Sequence, residues 1–253
     1  MHYLIQENVF REIHYDYIFE ALRRLGLPYE VVRLNGTADF EFQTDRKDVF
    51  CFGSIRLAHL AEKYAWQPGS LFNAQHDYTV YADYWKDNLL NWDSKIQTIE
   101  EPIDFYAYKL FIRPTKDSKI FTGQLFSAAD WVATQESALQ RGHQKALIQV
   151  AIPKKIYQEV RCWIVDKKVV SASTYKLGAE VRYIEYHDAD GLTFAHDMAQ
   201  IFQPAAAFVL DICSTEQGWK IVELNCINSA GFYACNLQKL LMSLEDFYES
   251  TSF

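Results

Sequence analysis

The 253-residue sequence has no run of about 18 consecutive apolar residues, so no membrane-spanning helix is expected. Excess basic charge is missing too: 25 Lys and Arg face 33 Asp and Glu, and a formal net charge of -8 offers no broad footprint for nucleic acid. The opening MHYLIQENVFREIHYDYIFEALRRLG lacks the basic start, apolar run and small-residue cleavage site of a signal peptide. Cys51, Cys162, Cys213, Cys226 and Cys235 form no CxxC pair and are odd in number. Buried, reduced thiols in a cytoplasmic protein are the expectation. A full GxGxxG fingerprint is absent, which leaves a dinucleotide site unsupported. No Ser/His/Asp or Cys/His arrangement stands out, so a protein nucleophile is not indicated. With 49% hydrophobic and 23% charged residues, disordered and collagen-like classes drop out.

What is there reads as alternating strands and helices. HYLIQ predicts a strand, residues 11–25 an amphipathic helix closed by Gly26, and PYEVVRL a second strand. DVFCF then runs into Gly53-Ser54 and another helix, a turn whose N–H groups suit an anion or, equally, a tight turn that needs glycine. Residues 71–104, rich in Tyr, Trp, Asn and Asp, read as an irregular connection with one short helix near YADYWKDNLL. Beyond it come a strand ending at Arg113-Pro114, a polar loop to Gly123, and a helix with Ser127 and Asp130 spaced as a capping box. KALIQVAIP follows, then a hairpin turning near Asp166-Lys167, a helix LTFAHDMAQIF, two strands and a last helix. His187, Asp188 and Asp190 fit a polar turn before a helix better than a calcium loop, because the twelfth-position Glu is missing.

The two late strands carry the unusual chemistry. In FVLDICSTEQGWKIVELNCINSAG, Asp211 sits amid apolar residues, and Glu223 and Asn225, two apart, share one strand face. A carboxylate in such surroundings needs a cation. Three hard oxygen ligands suit Mg²⁺ shared with phosphate oxygens. Neighbouring Lys and Arg at a sheet edge would satisfy the carboxylates as well.

FVLDI, a glycine turn and KIVELN together resemble the C-terminal metal motif of the ATP-grasp superfamily, with FIRP, ALIQVAI and EVRCWIVDKKVVSASTYK falling in family order before it. The resemblance spans about residues 105–242. It implies an α/β (α+β) ATP-grasp fold over residues 105–253, preceded by a Rossmann-like pre-ATP-grasp domain and connection over residues 1–104. By that resemblance Asp211, Glu223 and Asn225 hold Mg²⁺. Arg113 stands in the place of a nucleotide-gripping lysine; the loop after it, TKDSKIFTG, has one glycine where many relatives have several, so its grip falls to Lys119, with a solvated loop charge as the alternative. The hinge at Gln149, Val150 and Ile152 meets the adenine. Arginine at position 113 is similar to the clade in which arginine replaces those lysines, whose members are inferred to be carboxylate-amine ligases, some encoded by phages. Arg161 and Lys176 would face the γ-phosphate and the incoming carboxylate; cross-strand salt bridges are the alternative for both. Lys95 and Lys109 are candidates for a second nucleotide-gripping cation, with ordinary surface lysines as the stronger alternative. Ser229 and Gly231 stand where the family places small residues beside the acyl group, and a close-packed turn is the equal alternative.

The resemblance therefore implies an ATP- and Mg²⁺-dependent ligase that joins a small-molecule or peptide carboxylate to an amine through an acyl phosphate, releasing ADP. A phosphotransferase and a non-catalytic nucleotide-binding module are the rivals. Neither a nucleic-acid nor a membrane partner is expected.

Overall fold

A computed structural model describes residues 1–7, 9, 14–34, 42, 44–106, 108–116, 118 and 120–251. Three sheets organise them. The first is parallel, in the order β2-β1-β3, from β1 (His2–Gln6), β2 (Tyr29–Val32) and β3 (Val49–Phe52). Helix α1 (Tyr17–Leu25) crosses over from β1 to β2, and α2 (Ile55–Lys63) follows β3. Covered on both faces, β1 and β3 are apolar throughout their centres: Tyr3 and Ile5 point into one core, Leu4 and Cys51 into another with Leu57 and Ala61 of α2. The helix expected over residues 11–25 starts at Tyr17, because His14–Asp16 form a turn; residues 11–13 lie outside the described set. Gly26 closes it with φ 66°, and its N–H returns to Leu22 and Arg23 carbonyls.

The stretch 71–104 is more ordered than its composition suggests. It forms α3 (Tyr78–Trp85) and β4 (Lys95–Thr98), and β4 pairs with β7 (Leu147–Ala151) in a four-stranded sheet, β4-β7-β5-β6. There β5 spans Leu110–Pro114 and β6 spans Gln124–Phe126. Alternation along β5 sends Leu110 and Ile112 into a core under α4 (Ala128–Gln140), and leaves Phe111 and Arg113 on the opposite face. The capping box at Ser127 and Asp130 starts α4 as expected.

The third sheet is antiparallel, β10-β9-β8-β11-β12. Its strands are β8 (Gln158–Val165), β9 (Lys168–Leu177), β10 (Glu180–Glu185), β11 (Ala207–Thr215) and β12 (Gly218–Asn225). Asp166 and Lys167 turn the β8–β9 hairpin with φ 47° and 63°, the paired left-handed geometry of a two-residue turn. Strand β10 was not expected: its residues are largely exposed, so the sequence carries no alternating burial signal. Asp188, with its Oδ1 accepting from Asp190 N–H at 2.9 Å, caps α5 (Ala189–Ile201), so the HDADG stretch opens a helix.

The faces of this sheet explain where polar chemistry can sit. Phe208, Leu210 and Ile212 pack against α3 and α5. On the other face Trp163, Val165, Ala207 and Val209 join the core with β1, β3 and the last helix, α6 (Leu237–Thr251). Further along that second face the apolar cover stops, and Glu159, Arg161 and Asp211 take over.

Asn228, 3% exposed, locks this end of the sheet to the first one. Its Nδ2 donates to the Cys51 carbonyl at 2.6 Å, its Oδ1 accepts from Leu71 N–H at 2.7 Å, and its own carbonyl accepts from Gly53 N–H at 2.7 Å. Asn228→Ala leaves the buried Cys51 carbonyl and the half-buried Leu71 N–H without their partner and is expected to lower stability by roughly 2–5 kcal/mol. Urea unfolding measures this; a loss under about 1 kcal/mol would mean that the Asn228 amide is not what joins the sheets.

Candidate active site

Register brings the carboxylates together. Asp211 on β11 pairs directly with Glu223 on β12 on one side and with Arg161 on β8 on the other, so three charged side chains stand in a row across three strands. Arg161 donates from Nε and Nη2 to the two Asp211 oxygens, each at 2.8 Å, and from Nη1 to the Gly231 carbonyl at 3.3 Å. Its guanidinium lies 4.5 Å from the ring centre of Tyr233, which stacks in turn on Tyr183. Asn225, further along β12 from Glu223, bridges the two carboxylates: its Nδ2 donates to Asp211 Oδ2 at 3.1 Å and to Glu223 Oε1 at 3.0 Å.

Two further ion pairs complete the group. Arg113 of β5 reaches across from the four-stranded sheet, its Nη1 2.9 Å from Glu223 Oε2. Lys176 lies opposite Glu159 in the β8–β9 hairpin, at 2.9 Å, and Tyr175 Oη donates to the same carboxylate at 2.8 Å. Gly123 on the loop before β6 lets the chain pass close to Arg113, since a Cβ there would fall 2.7 Å from the Arg113 Cβ.

Between the two sheets opens a cavity of about 810 Å³, within the range of nucleotide-sized sites. Arg113, Lys116, Lys154 and Lys176 line it with Glu223 and Asn225. Asp211 and Arg161 stand behind this wall, at 1% and 7% exposure. Burial pushes the Asp211 carboxyl up to about 6 against the pull of Arg161, and the Glu223 charge adds to the rise. Burial acts upward on Glu223 as well, but Arg113, Asn225 and Arg161 outweigh it and hold that carboxyl below its ordinary value. A proton entering the pair therefore goes to Asp211.

The residues singled out from sequence separate into groups. Asp211, Glu223, Asn225, Arg161 and Arg113 converge, and Lys176 lines the same cavity. Both cross-strand salt bridges weighed from the sequence, at Arg161 and Lys176, are present. Gln149, Val150 and Ile152 are not on the cavity wall: Gln149 turns to Ser94 and Asn91, Val150 enters the core under α4, and Ile152 is half exposed. Pro153, Lys154 and Ile156, just beyond, line it instead. Lys119 lies outside the described residues. Lys95 and Lys109 do not line the cavity, and the Gly53-Ser54 turn spends its N–H groups on Asn228 and Gln6. Sequence reasoning missed Glu159 as a site carboxylate; its spacing of two from Arg161 and its place opposite Lys176 were the available signal.

Oxygen donors on an open wall suit a cation that also takes ligands from phosphate. Among the described residues no cluster of three or more His, Cys, Asp or Glu side chains gathers to enclose a metal by itself. Glu223 and Asn225 offer one carboxylate and one amide on the wall, which fits Mg²⁺ that completes its shell from a bound polyphosphate, whereas Asp211, expected as a third ligand, stands behind them with both oxygens held by Arg161.

Removing Arg161 strands a buried charge. Arg161→Met is expected to cost about 3–5 kcal/mol at pH 8. The loss should shrink at pH 5, because Asp211, already titrating near 6, takes up a proton rather than remain a lone anion. Denaturant unfolding of both proteins at the two pH values checks the sign; equal losses would mean that Asp211 carries no compensated charge in the wild type.

Comparison with known proteins bears on the fold. The chain's fold is similar to that of D-cycloserine synthetase DcsG, with a TM-score of 0.65 and 12% identity over 97% of this chain and 99% of that one. A structure of the ATP-grasp ligase PsnB complexed with minimal precursor gives 0.59 and 13%, over 97% and 98%. D-alanine–D-alanine ligase from Bacillus anthracis complexed with ATP gives 0.55 and 13%, over 99% of each chain. No curated protein matches. The family model for an ATP-grasp domain, R-2-K clade family 3, matches residues 53–244, well over half of the chain, and with the carboxylate row of β11 and β12 this places the protein in that ATP-grasp family.

Proposed function

We propose that the protein is an ATP- and Mg²⁺-dependent ligase that joins a carboxylate to an amine. One observation carries the reading: Glu223 and Asn225 line a nucleotide-sized cavity together with Arg113, Lys116, Lys154 and Lys176, a set of oxygen donors and cations that suits a metal-bound triphosphate. The similar structures support it, since one is complexed with ATP and another with Mg and ADP.

Each residue then has a part. Glu223 and Asn225 hold Mg²⁺ from the cavity side, and Asp211 supports them from behind, fixed by Arg161. Bound Mg²⁺ supplies neutralisation of the triphosphate charge. Arg113 presents a planar fork that gives paired hydrogen bonds to phosphate oxygens and stays charged at any relevant pH. Lys176 and Lys116 reach the same space and orient the terminal phosphate and the acceptor carboxylate. The adenine lies at the end of β7, where the backbone of Gln149, Val150 and Ile152 leads into Pro153, Lys154 and Ile156.

The acceptor carboxylate attacks the γ-phosphorus in line; an O–P bond forms, the bond to ADP breaks, and an acyl phosphate results. An amine displaces phosphate from it to give the amide. PsnB is complexed with a precursor peptide and DcsG is a D-cycloserine synthetase, so both peptide and small-molecule acceptors belong in the screen.

Product analysis tests this. With an accepted carboxylate, ATP, Mg²⁺ and hydroxylamine in place of the amine, the protein should release ADP and form a hydroxamate. ADP with a stable phosphoester and no hydroxamate would identify a phosphotransferase. AMP as the main product would overturn the acyl-phosphate route, and nucleotide binding without turnover across the screen would identify a binding module.

A further inference from the structure

The site is electrically closed as it stands. Two carboxylates, Asp211 and Glu223, face two guanidinium groups, Arg161 and Arg113. The two pairs differ in build. Arg161 grips Asp211 through two hydrogen bonds within one sheet, and both side chains are almost wholly buried. The Arg113–Glu223 pair joins different sheets at 2.9 Å, and its side chains are 17% and 29% exposed on the cavity wall. Only the second pair lies where a ligand can divide it.

We infer that Arg113 serves as the placeholder for the metal at Glu223, and that binding exchanges partners: the divalent cation takes Glu223, and Arg113 passes to the phosphates. This rests on the nucleotide reading of the cavity. The exchange makes the two ligands interdependent. A nucleotide without metal must pull Arg113 from Glu223 and leave that carboxylate uncompensated, while metal without nucleotide must displace Arg113 and leave a surplus of positive charge. Bound together, each removes the other's penalty, so the coupling between them is reciprocal.

The consequence has an unusual sign: removing the proposed metal ligand should tighten metal-free nucleotide binding. Calorimetry with AMPPNP would be run in EDTA and in Mg²⁺ on the wild type, Glu223→Gln, Arg113→Met and the double variant. Glutamine keeps the shape of the glutamate, and circular dichroism verifies the fold. In EDTA, Glu223→Gln should bind AMPPNP about tenfold more tightly than the wild type, the scale of one charge-assisted hydrogen bond made available. In Mg²⁺ the order should reverse. In the Arg113→Met background the EDTA gain should vanish, which separates release of Arg113 from simple removal of a repelling charge. An unchanged or weaker EDTA affinity in Glu223→Gln, or the same gain without Arg113, would overturn the exchange alone, provided the wild type binds Mg²⁺-AMPPNP. A wild type that binds AMPPNP in neither condition would overturn the nucleotide reading and the exchange with it.

Discussion

The structure is built around the cost of placing Asp211 and Glu223 on adjacent positions of a sheet that is otherwise core. Two carboxylates at one cross-strand pair repel, and burial of each costs several kcal/mol without a counter-charge. Every nearby feature answers that constraint. Arg161 stands in register on the next strand, Asn225 donates to both carboxylates, and Arg113 reaches over from another sheet. A buried ion pair of this kind is poor material for stability, because apolar residues of the same volume would serve as well. Its value lies in a rigid, charged wall beside a cavity.

The fold delivers that wall through the division of one sheet face. Near Trp163 and Val209 the face is sealed by β1, β3 and α6; further along it is open to the four-stranded sheet. Alternation along β5 puts Arg113 on the cavity side because Leu110 and Ile112 are committed to the core under α4. Asn228, three residues beyond the end of β12, ties the arrangement to the first sheet through hydrogen bonds to residues on either side of α2. The geometry of the site thus depends on all three sheets.

Much of this was legible in the sequence, for physical reasons that differ between elements. The run VFCF announces an apolar strand, Gly26 a helix end, and Asp211 with Glu223 and Asn225 a polar patch amid apolar residues. Strands β4 and β10 escaped notice because KIQT is short and polar, and EVRYIE is exposed at an edge. The carboxylates could be foreseen, and a cross-strand salt bridge at Arg161 was weighed, but not which groups meet: Arg161 meets Asp211 through a register set by strands far apart in the chain, and Arg113 meets Glu223 through the packing of two sheets. Spacing along one strand is local information, whereas the packing angle between sheets is not.

The central claim is that Glu223 and Asn225, backed by Asp211, form the metal wall of a triphosphate site. A crystal structure with Mn²⁺ and AMPPNP measures it most directly, since anomalous scattering locates the metal independently of the protein atoms. The account predicts a metal peak about 2.0–2.2 Å from Glu223 and Asn225 oxygens, roughly the distances of a six-coordinate hard cation, with the phosphates between it and Arg113. A nucleotide bound elsewhere, or one in this cavity with no metal at Glu223 and Asn225, would contradict it.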